Sequence, residues 1–475
     1  MASTDRLRRA VRLGIVIAAL ALVAGCASTP PEPTVSRVDA MTRALGGVSV
    51  AAAADERSAR AIDERVAALL AEPLTADRAA QIAVLNQRGM QATLATLGIA
   101  DADLLEAGRL PNPGLTISRP RGGDAIGVEH SLHYSLARLI VLPLVKGAEE
   151  ARFEQVQRAV AAEVLSRASE ARKAFYRAVA ARESERYLAR VRDAAQAGAE
   201  LARRMAEAGN FNRLQQAREQ AFYAEATLAL ARAQQLTIAT HERLRRALGI
   251  RPEQGALRLP ERLPDLPATL PERGDVERIA LEQRLDVLSA RFGAERMARS
   301  LGLTRRTRFI NLLDLGVLRN ASESISPSNL GYELTIELPL FDWGESRIAR
   351  AEAYYMQAVH RASEVAINAR SEVREAYALW QSSYAIAQHY RDERVPLAKR
   401  ISEENLLRYN GMFIGVFELL ADMRAQIETV NAALAAQRDF WLTEADLDLA
   451  MVGRPTLDLP SAVVDGAASS GERGH

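Results

Sequence analysis

The clearest periodic pattern in the chain lies between residues 346 and 409. Small and apolar residues recur there at alternating steps of three and four, with Glu372 interrupting the series. This spacing predicts a long helix with a heptad-like packing seam, because such positions share one helix face. Pro396 should bend the helix or interrupt its hydrogen bonds. The seam consists of Ile348, Ala351, Tyr355, Ala358, Ala362, Val365, Ala369, Ala376, Trp380, Ser383, Ala387 and Tyr390.

The segment 331–340, just before that helix, alternates between apolar and polar residues. A period of two predicts a strand with one apolar and one polar face. Such a strand suits a membrane barrel with lipid outside and water inside, and it equally suits a half-buried strand of a soluble sheet. The apolar set is Tyr332, Leu334, Ile336 and Leu338, and the polar set is Glu333, Thr335 and Glu337.

The same succession of patterns occurs twice. A Leu-Pro-Leu triplet precedes each long helix, at 142–144 and at 338–340, and each helix leads to a glycine turn. We align these turns as Ala208-Gly209-Asn210-Phe211 and Asn410-Gly411-Met412-Phe413. A repeat of this length indicates a duplicated domain rather than a solenoid of short units.

Each copy is predicted to run helix, strand, strand, helix, helix, so the expected fold class is mainly α with a small β part. The first strand pair is less regular than the second and contains Arg138 where an apolar residue would fit. The predicted helices cover residues 74–107, 147–208, 212–248, 275–301 and 346–409, and the predicted strands cover 114–119, 127–142, 309–319 and 331–340.

The beginning of the chain resembles an exported lipoprotein. Basic residues precede an uncharged apolar run at 13–23, which is too short to span a bilayer but suits a signal peptide. The small residues Val23-Ala24-Gly25 before Cys26 resemble a bacterial lipobox, so we expect cleavage before Cys26 and acylation of its thiol. The alternative is an ordinary signal peptide with a chance cysteine. No Asp follows Cys26, and this favours sorting to the outer membrane.

These patterns predict six segments along the chain. They are a signal peptide at 1–25, a lipid-anchored N-terminal tether at 26–72, a first repeat at 73–258, a linker at 259–271, a second repeat at 272–453 and a disordered tail at 454–475.

Composition narrows the function. The 61 basic and 60 acidic residues nearly cancel, which argues against a nucleic-acid partner because such proteins carry a basic excess. No P-loop is present, and His241-Glu242 lacks the second histidine of a metalloprotease helix. His130 and His133 would face opposite sides of a strand, so we interpret them as polar strand or loop residues in preference to metal ligands. We therefore expect no enzyme, no cofactor and no metal site.

Several motifs in order resemble the outer-membrane efflux proteins of TolC type. They are the lipobox, Leu110-Pro111-Asn112-Pro113, the segment 337–344, the Val395-Pro396-Leu397 bend, and Tyr409-Asn410-Gly411 followed by the segment 416–420. The similarity covers about residues 73 to 453. Each motif alone is weak, whereas their order and spacing together are specific.

The resemblance implies a homotrimer that acts as a passive channel. Each subunit would give four strands to a shared twelve-stranded transmembrane β-barrel, and its long antiparallel helical hairpins would form a trimeric α-barrel in the periplasm. The implied partners are a periplasmic adaptor protein, an inner-membrane pump and outer-membrane lipid. Tyr332, Leu334, Ile336 and Leu338 would face that lipid, and Trp343 would be either an interfacial anchor or a packed corner residue.

The resemblance also suggests where a gate would lie. Relatives carry acidic gate residues near the second hairpin turn, where this chain has Glu418, with Asp422 as the second choice. Arg213, at the first turn, would pair with a gate acid of another subunit. The alternative for Glu418 is an exposed tip residue or an adaptor contact. The rival class for the whole protein is a non-channel periplasmic coiled-coil lipoprotein, either an adaptor or a scaffold.

Overall fold

A computed structural model describes residues 34–118, 121–122, 125–309, 312–322 and 325–457. The predicted signal peptide, Cys26 and residues 458–475 of the predicted tail lie outside these ranges. In the described chain, most residues are helical and one small antiparallel sheet is present.

The two repeats follow the predicted order. The first contains two short helices, three strands and two long helices, and the second contains two short helices, two strands, a broken long helix and a return helix. The first repeat comprises α3 (Ala76–Asn86), α4 (Arg88–Ala107), β1 (Gly114–Ser118), β2 (Arg121–Gly122), β3 (Ala125–Ser135), α5 (Leu136–Glu207) and α6 (Arg213–Leu248). The second comprises α7 (Val276–Gln283), α8 (Leu285–Thr307), β4 (Leu313–Ser322), β5 (Ile325–Ile336), α9 (Glu345–His389), α10 (Val395–Asn410) and α11 (Val416–Val452).

The expected tether at 26–72 is wrong from Thr34 onward. Two helices occupy this part of the chain, α1 (Thr34–Gly46) and α2 (Glu56–Ala71). Both pack on the first repeat, where Val38 and Val66 are fully buried. Asp55 caps α2 by accepting a hydrogen bond from the Ser58 amide at 2.7 Å. The segment is therefore part of the folded body.

The first helix of each repeat is broken once, at Gln87 and at Arg284, where the backbone is extended. The single helices predicted at 74–107 and 275–301 thus become pairs. The first break is fixed by Asn86, whose side-chain amide donates to the carbonyl of Gly249 at 2.7 Å. The second is fixed by buried Arg284, which forms an ion pair with Glu372 of α9 at 2.7 Å.

Helix α5 begins earlier than predicted. It is 72 residues long, roughly 110 Å at 1.5 Å per residue, and it contains Pro143. The strand predicted at 127–142 therefore ends at Ser135, and residues 136–142 are helical instead. The corresponding residues of the second repeat, 332–340, are strand as far as Ile336 and are not helical after it. The two Leu-Pro-Leu triplets thus have different structures, although their surroundings are repeated.

The interruption of the helix predicted at Pro396 is present just before this residue. A single π-helical turn, Tyr390–Arg394, separates α9 from α10, and Pro396 lies in the first turn of α10. Proline has no amide hydrogen, so a wider turn just before it is a common way for a long helix to continue past the lost hydrogen bond. The packing seam is half-buried at its beginning and fully buried from Ala369 to Ala387.

The sheet joins the two repeats. Its strand order is β1-β3-β4-β5, all antiparallel, with β2 paired to β3. Strand β3 of the first repeat pairs with β4 of the second over the register from Gly127↔Ser322 to Ser135↔Asp314. Strands β1 and β5 form the two edges.

The hydrophobic core lies along the middle of the long helices. Helix α5 packs against α6 and α11, and α9 packs against α8 and α11. A buried ion pair connects the two repeats, since Nζ of Lys173 in α5 lies 2.7 Å from Oδ1 of Asp446 in α11. Around Trp380 and Phe440, apolar side chains close the core of the second repeat. The helices are therefore held centrally, while their distal turns and the sheet extend away from the core.

Candidate functional site

One face of the sheet is apolar in the rows nearest the helices, and the next row on that face contains His130 paired with Arg319. Directly paired residues of neighbouring antiparallel strands share a face. The register places Leu115, Leu132, Val317 and Tyr332 in one row across all four strands. The next row contains Tyr134, Leu315 and Leu334. Leu115 is 66% exposed and Tyr332 is 75% exposed, so nothing within the described subunit covers this face.

The residues predicted to face lipid are all exposed. Tyr332, Leu334 and Ile336 lie on the apolar face of β5, and Leu338 follows in the loop. That this face meets lipid stays a prediction. The first strand pair, which looked irregular in sequence, contributes Leu115, Ile117 and Leu132 to the same exposed surface.

The opposite face of the sheet is polar. One row across it contains His133, Gly316 and Glu333, and the next contains Ser135, Asp314 and Thr335. Gly316 leaves little room, because a Cβ there would lie 3.0 Å from Nδ1 of His133. His130 pairs with Arg319 and is three residues from His133, so the two histidines lie on opposite faces. No cluster suited to a metal ion occurs among the described residues.

The helical hairpins end in two turns that carry the predicted gate residues. Arg213 is the first residue of α6 and is exposed. Glu418 lies in the first turn of α11 and is exposed, where a carboxylate also interacts favourably with the helix N-terminus. Asp422, one turn later, is half-buried, and its Oδ2 atom is buried without a hydrogen-bond partner in the described structure. Within the described part of one subunit, Arg213 and Glu418 form no ion pair.

A charge pair that the sequence did not reveal links the two hairpins near these turns. Arg424 of α11 lies 3.9 Å from the Glu219 carboxylate of α6. The Arg424 guanidinium also lies 4.4 Å from the centre of the Phe222 ring, a cation–π distance. The Glu219 side chain is only 3% exposed. Burial raises the pKa of its carboxyl, and the charge of Arg424 opposes part of that rise.

Not every buried polar atom of this charge pair has a hydrogen-bond partner in the part of the chain that the structure describes. The Oε2 atom of Glu219 and the Nε atom of Arg424 are buried without hydrogen-bond partners among the described residues, as are polar atoms of Asp422 and Asn431. Buried polar atoms are normally hydrogen-bonded, so such a concentration needs an explanation. Sequence reasoning missed Glu219 and Arg424 because the two residues are distant in the chain and belong to no motif.

No helix in the described ranges has an apolar stretch that would be long enough to cross a bilayer.

Comparison with known proteins shows which solved structures share this fold. The sequence matches no family model, and no curated protein matches it. Solved structures do match. A membrane protein from Pseudomonas aeruginosa has a TM-score of 0.70 at 18% identity, covering 79% of this chain and 93% of that one. The outer membrane protein VceC from Vibrio cholerae has a TM-score of 0.67 at 17% identity, covering 80% and 96%.

The MtrE outer membrane channel of Neisseria gonorrhoeae, in its open state, has a TM-score of 0.66 at 18% identity, covering 81% of this chain and 91% of that one. The chain therefore has the fold of these outer-membrane proteins over most of its length. The predicted fold class, mainly α with a small β part in a duplicated order, is confirmed.

Proposed function

We propose that this protein is an outer-membrane channel that passively exports solutes from the periplasm to the exterior. The observation that carries the proposal is the exposed apolar face across all four paired strands, on a chain with the fold of outer-membrane channels. A sheet with one apolar and one polar face suits a wall between lipid and water.

The two edges of the sheet support assembly as a homotrimer. Strands β1 and β5 each present unpaired backbone groups, and such groups are costly in lipid unless a barrel closes on itself. Three copies, each giving four strands, would close a twelve-stranded barrel. The long hairpins of the three subunits would then line a periplasmic conduit.

The proposed partners are a periplasmic adaptor protein and an inner-membrane pump. The sequence contains no P-loop, so the energy for transport would come from the pump rather than from nucleotide hydrolysis by this chain. We propose that Cys26 is acylated and anchors the chain to the outer membrane. An acyl chain supports membrane binding in proportion to its buried methylene groups.

We further propose that the hairpin turns form the gate. Three-fold symmetry would turn Glu418 into a ring of three carboxylates, a negative site that favours cations. Arg213 of a neighbouring subunit would pair with this ring in the closed state. The partnerless atoms near Asp422 and Arg424 support a gate here, since a segment that changes partners is not fully satisfied in one state.

Single-channel recording in planar bilayers tests both proposals. The purified protein should give discrete conductance steps and run as a heat-resistant trimer on a gel. A coiled-coil scaffold or adaptor would give neither result. Glu418→Ala should raise conductance and weaken block by multivalent cations, and Arg213→Ala should also favour opening. If both variants conduct and are blocked like the wild type, these residues are not the gate, although the channel assignment would stand.

A further inference from the structure

A group of basic residues surrounds the end of the sheet nearest the helices. The strands and helices meet there at four junctions, residues 108–111, 136–147, 303–309 and 338–350. Three sets of contacts bring these junctions together. A Cβ at Gly108 would lie 3.7 Å from Cδ of Lys146, which joins the first two junctions. Arg299 of α8, the helix that leads into the third junction, donates a hydrogen bond to the carbonyl of Gly147 at 2.5 Å. The rings of Phe309 and Trp343 pack edge to face with centres 6.1 Å apart, and Arg347 donates a hydrogen bond to the carbonyl of Arg308 at 2.9 Å. We call these four junctions the basic collar.

The charge of the basic collar differs from that of the whole chain. The four junctions contain eight basic residues and two acidic ones, whereas the full sequence has 61 basic and 60 acidic residues. The collar therefore has an excess of positive charge, and an excess of acidic residues in the rest of the chain compensates for it. The basic residues are Arg109, Arg138, Lys146, Arg305, Arg306, Arg308, Arg347 and Arg350, and the acidic residues are Asp342 and Glu345.

Most of this charge is available at the surface. Arg305 pairs with Glu352. Five other basic side chains of the collar are exposed and form no ion pair among the described residues, in contrast to the many paired arginines along the helices. These five are Arg109, Arg138, Lys146, Arg306 and Arg350.

Exposed apolar and aromatic side chains accompany the charges. Phe341 is 100% exposed, and Trp343, Phe309 and Ile140 are also exposed. Along the chain, Phe341 and Trp343 come shortly after the apolar positions of β5. Aromatic rings with arginine and lysine at the end of an apolar surface are typical of the membrane–water interface, where the rings lie among headgroups and the long basic side chains reach phosphates.

We infer that the basic collar binds the headgroups of anionic phospholipids in the membrane leaflet that it meets. The guanidinium groups would contact lipid phosphates, for which their planar geometry is well suited. The inference rests on the proposed function, since it requires the apolar face of the sheet to lie in a bilayer. It adds a lipid class and a site to that proposal.

The test measures lipid preference at the protein surface. The full-length protein is reconstituted in phosphatidylcholine vesicles, and the association of spin-labelled phosphatidylglycerol is compared with that of spin-labelled phosphatidylcholine by electron paramagnetic resonance. The wild type should prefer phosphatidylglycerol, and the preference should fall in 1 M salt, where the Debye length is about 3 Å. Each collar arginine removed should weaken anionic-lipid association by about fivefold at its site.

A matched pair of variants locates the effect. The collar variant Arg138→Gln/Arg306→Gln/Arg350→Gln should lose the preference. The control Arg218→Gln/Arg232→Gln/Arg400→Gln removes three exposed arginines from α6 and α10 and should keep it. Equal preference in the two variants, or a wild type with no salt-sensitive preference, would overturn the inference.

Conductance of the same preparations separates the two proposals. Conducting protein without a lipid preference would refute the collar alone. Protein that holds anionic lipid but never conducts would refute the channel while leaving the collar in place. Protein that fails to enter the vesicles would refute both.

Discussion

At the scale of single residues, Met412 has an unusual backbone. Its φ is 62°, and it is the only residue other than glycine with a positive φ in the described chain. The backbone hydrogen bonds of the two hairpin turns match when Met412 is aligned with Gly209. The amide of Phe413 donates to the carbonyl of Arg408, and the amide of Asn210 donates to the carbonyl of Met205, each at 2.8 Å. Our sequence alignment of the turns, which paired Gly209 with Gly411, was thus wrong by one position.

We expect Met412→Gly to stabilise the protein by about 1 kcal/mol, because glycine adopts this left-handed conformation without the Cβ penalty. Little burial would be lost, since Met412 is 93% exposed. The reciprocal control, Gly209→Ala, should destabilise by a similar amount. Denaturant unfolding followed by circular dichroism measures both changes. A destabilised Met412→Gly variant would mean that this side chain makes contacts in the assembled protein.

Glu219 gives a prediction on pH dependence. Burial raises the pKa of this carboxyl in the folded protein, so folding favours its protonated form. Its contribution to stability is therefore present at low pH and is lost as the pH rises through the folded pKa. Glu219→Gln should remove this component, leaving a thermal midpoint that varies less with pH above the ordinary glutamate range. If Glu219→Gln and the wild type have the same pH profile, the pKa of Glu219 does not differ between the folded and unfolded chains.

At the scale of elements, the long periodic segments were predictable and the short ones were not. The seam of α9 and the alternation of β5 extend over enough residues to define a period. Helices α1 and α2 each bury only two residues, Val38 and Thr42 in one and Ile62 and Val66 in the other. That is too few to show a helical period. The start of α5 was misplaced because the residues before Pro143 are mostly apolar. A short apolar run shows no period that would separate a strand from a helix.

The breaks at Gln87 and Arg284 show a second limit of sequence reasoning. Neither residue is a helix breaker by type. Each break is held by a contact with a distant element, from Asn86 to the end of α6 and from Arg284 to α9. The Glu219–Arg424 pair is of the same kind. Such tertiary contacts override local propensity, and one sequence does not reveal them.

Strand β5 can be tested face by face. Leu334→Arg, on the exposed apolar face, should destabilise the membrane-inserted protein by about 2–4 kcal/mol if the site lies near the bilayer midplane. Thr335→Arg, on the polar face, should cost much less and change ion selectivity instead. Urea unfolding from lipid vesicles measures the first effect, and reversal potentials measure the second. Equal tolerance of arginine on both faces would argue against a membrane strand.

At the scale of the whole molecule, the proposed channel would be held to the membrane in two ways, by the sheet and by acylation of Cys26. The sheet offers a wide apolar surface with aromatic and basic residues at its border, whereas the lipid anchor acts only through the buried methylene groups of the acyl chains on one cysteine. The barrel should therefore dominate attachment once the trimer has formed. The acyl group would matter earlier, by bringing unassembled subunits to the membrane and to one another.

Replacing Cys26 tests this division of roles. The intact mass of the purified wild type should lack residues 1–25 and include lipid. Cys26→Ser should lose the lipid but keep the fold, the heat-resistant trimer and the single-channel conductance, while trimers accumulate more slowly after synthesis is induced. An unmodified Cys26 in the mature wild type would refute the anchor. A Cys26→Ser chain that washes off membranes with salt would instead show that the sheet does not hold the protein in the bilayer.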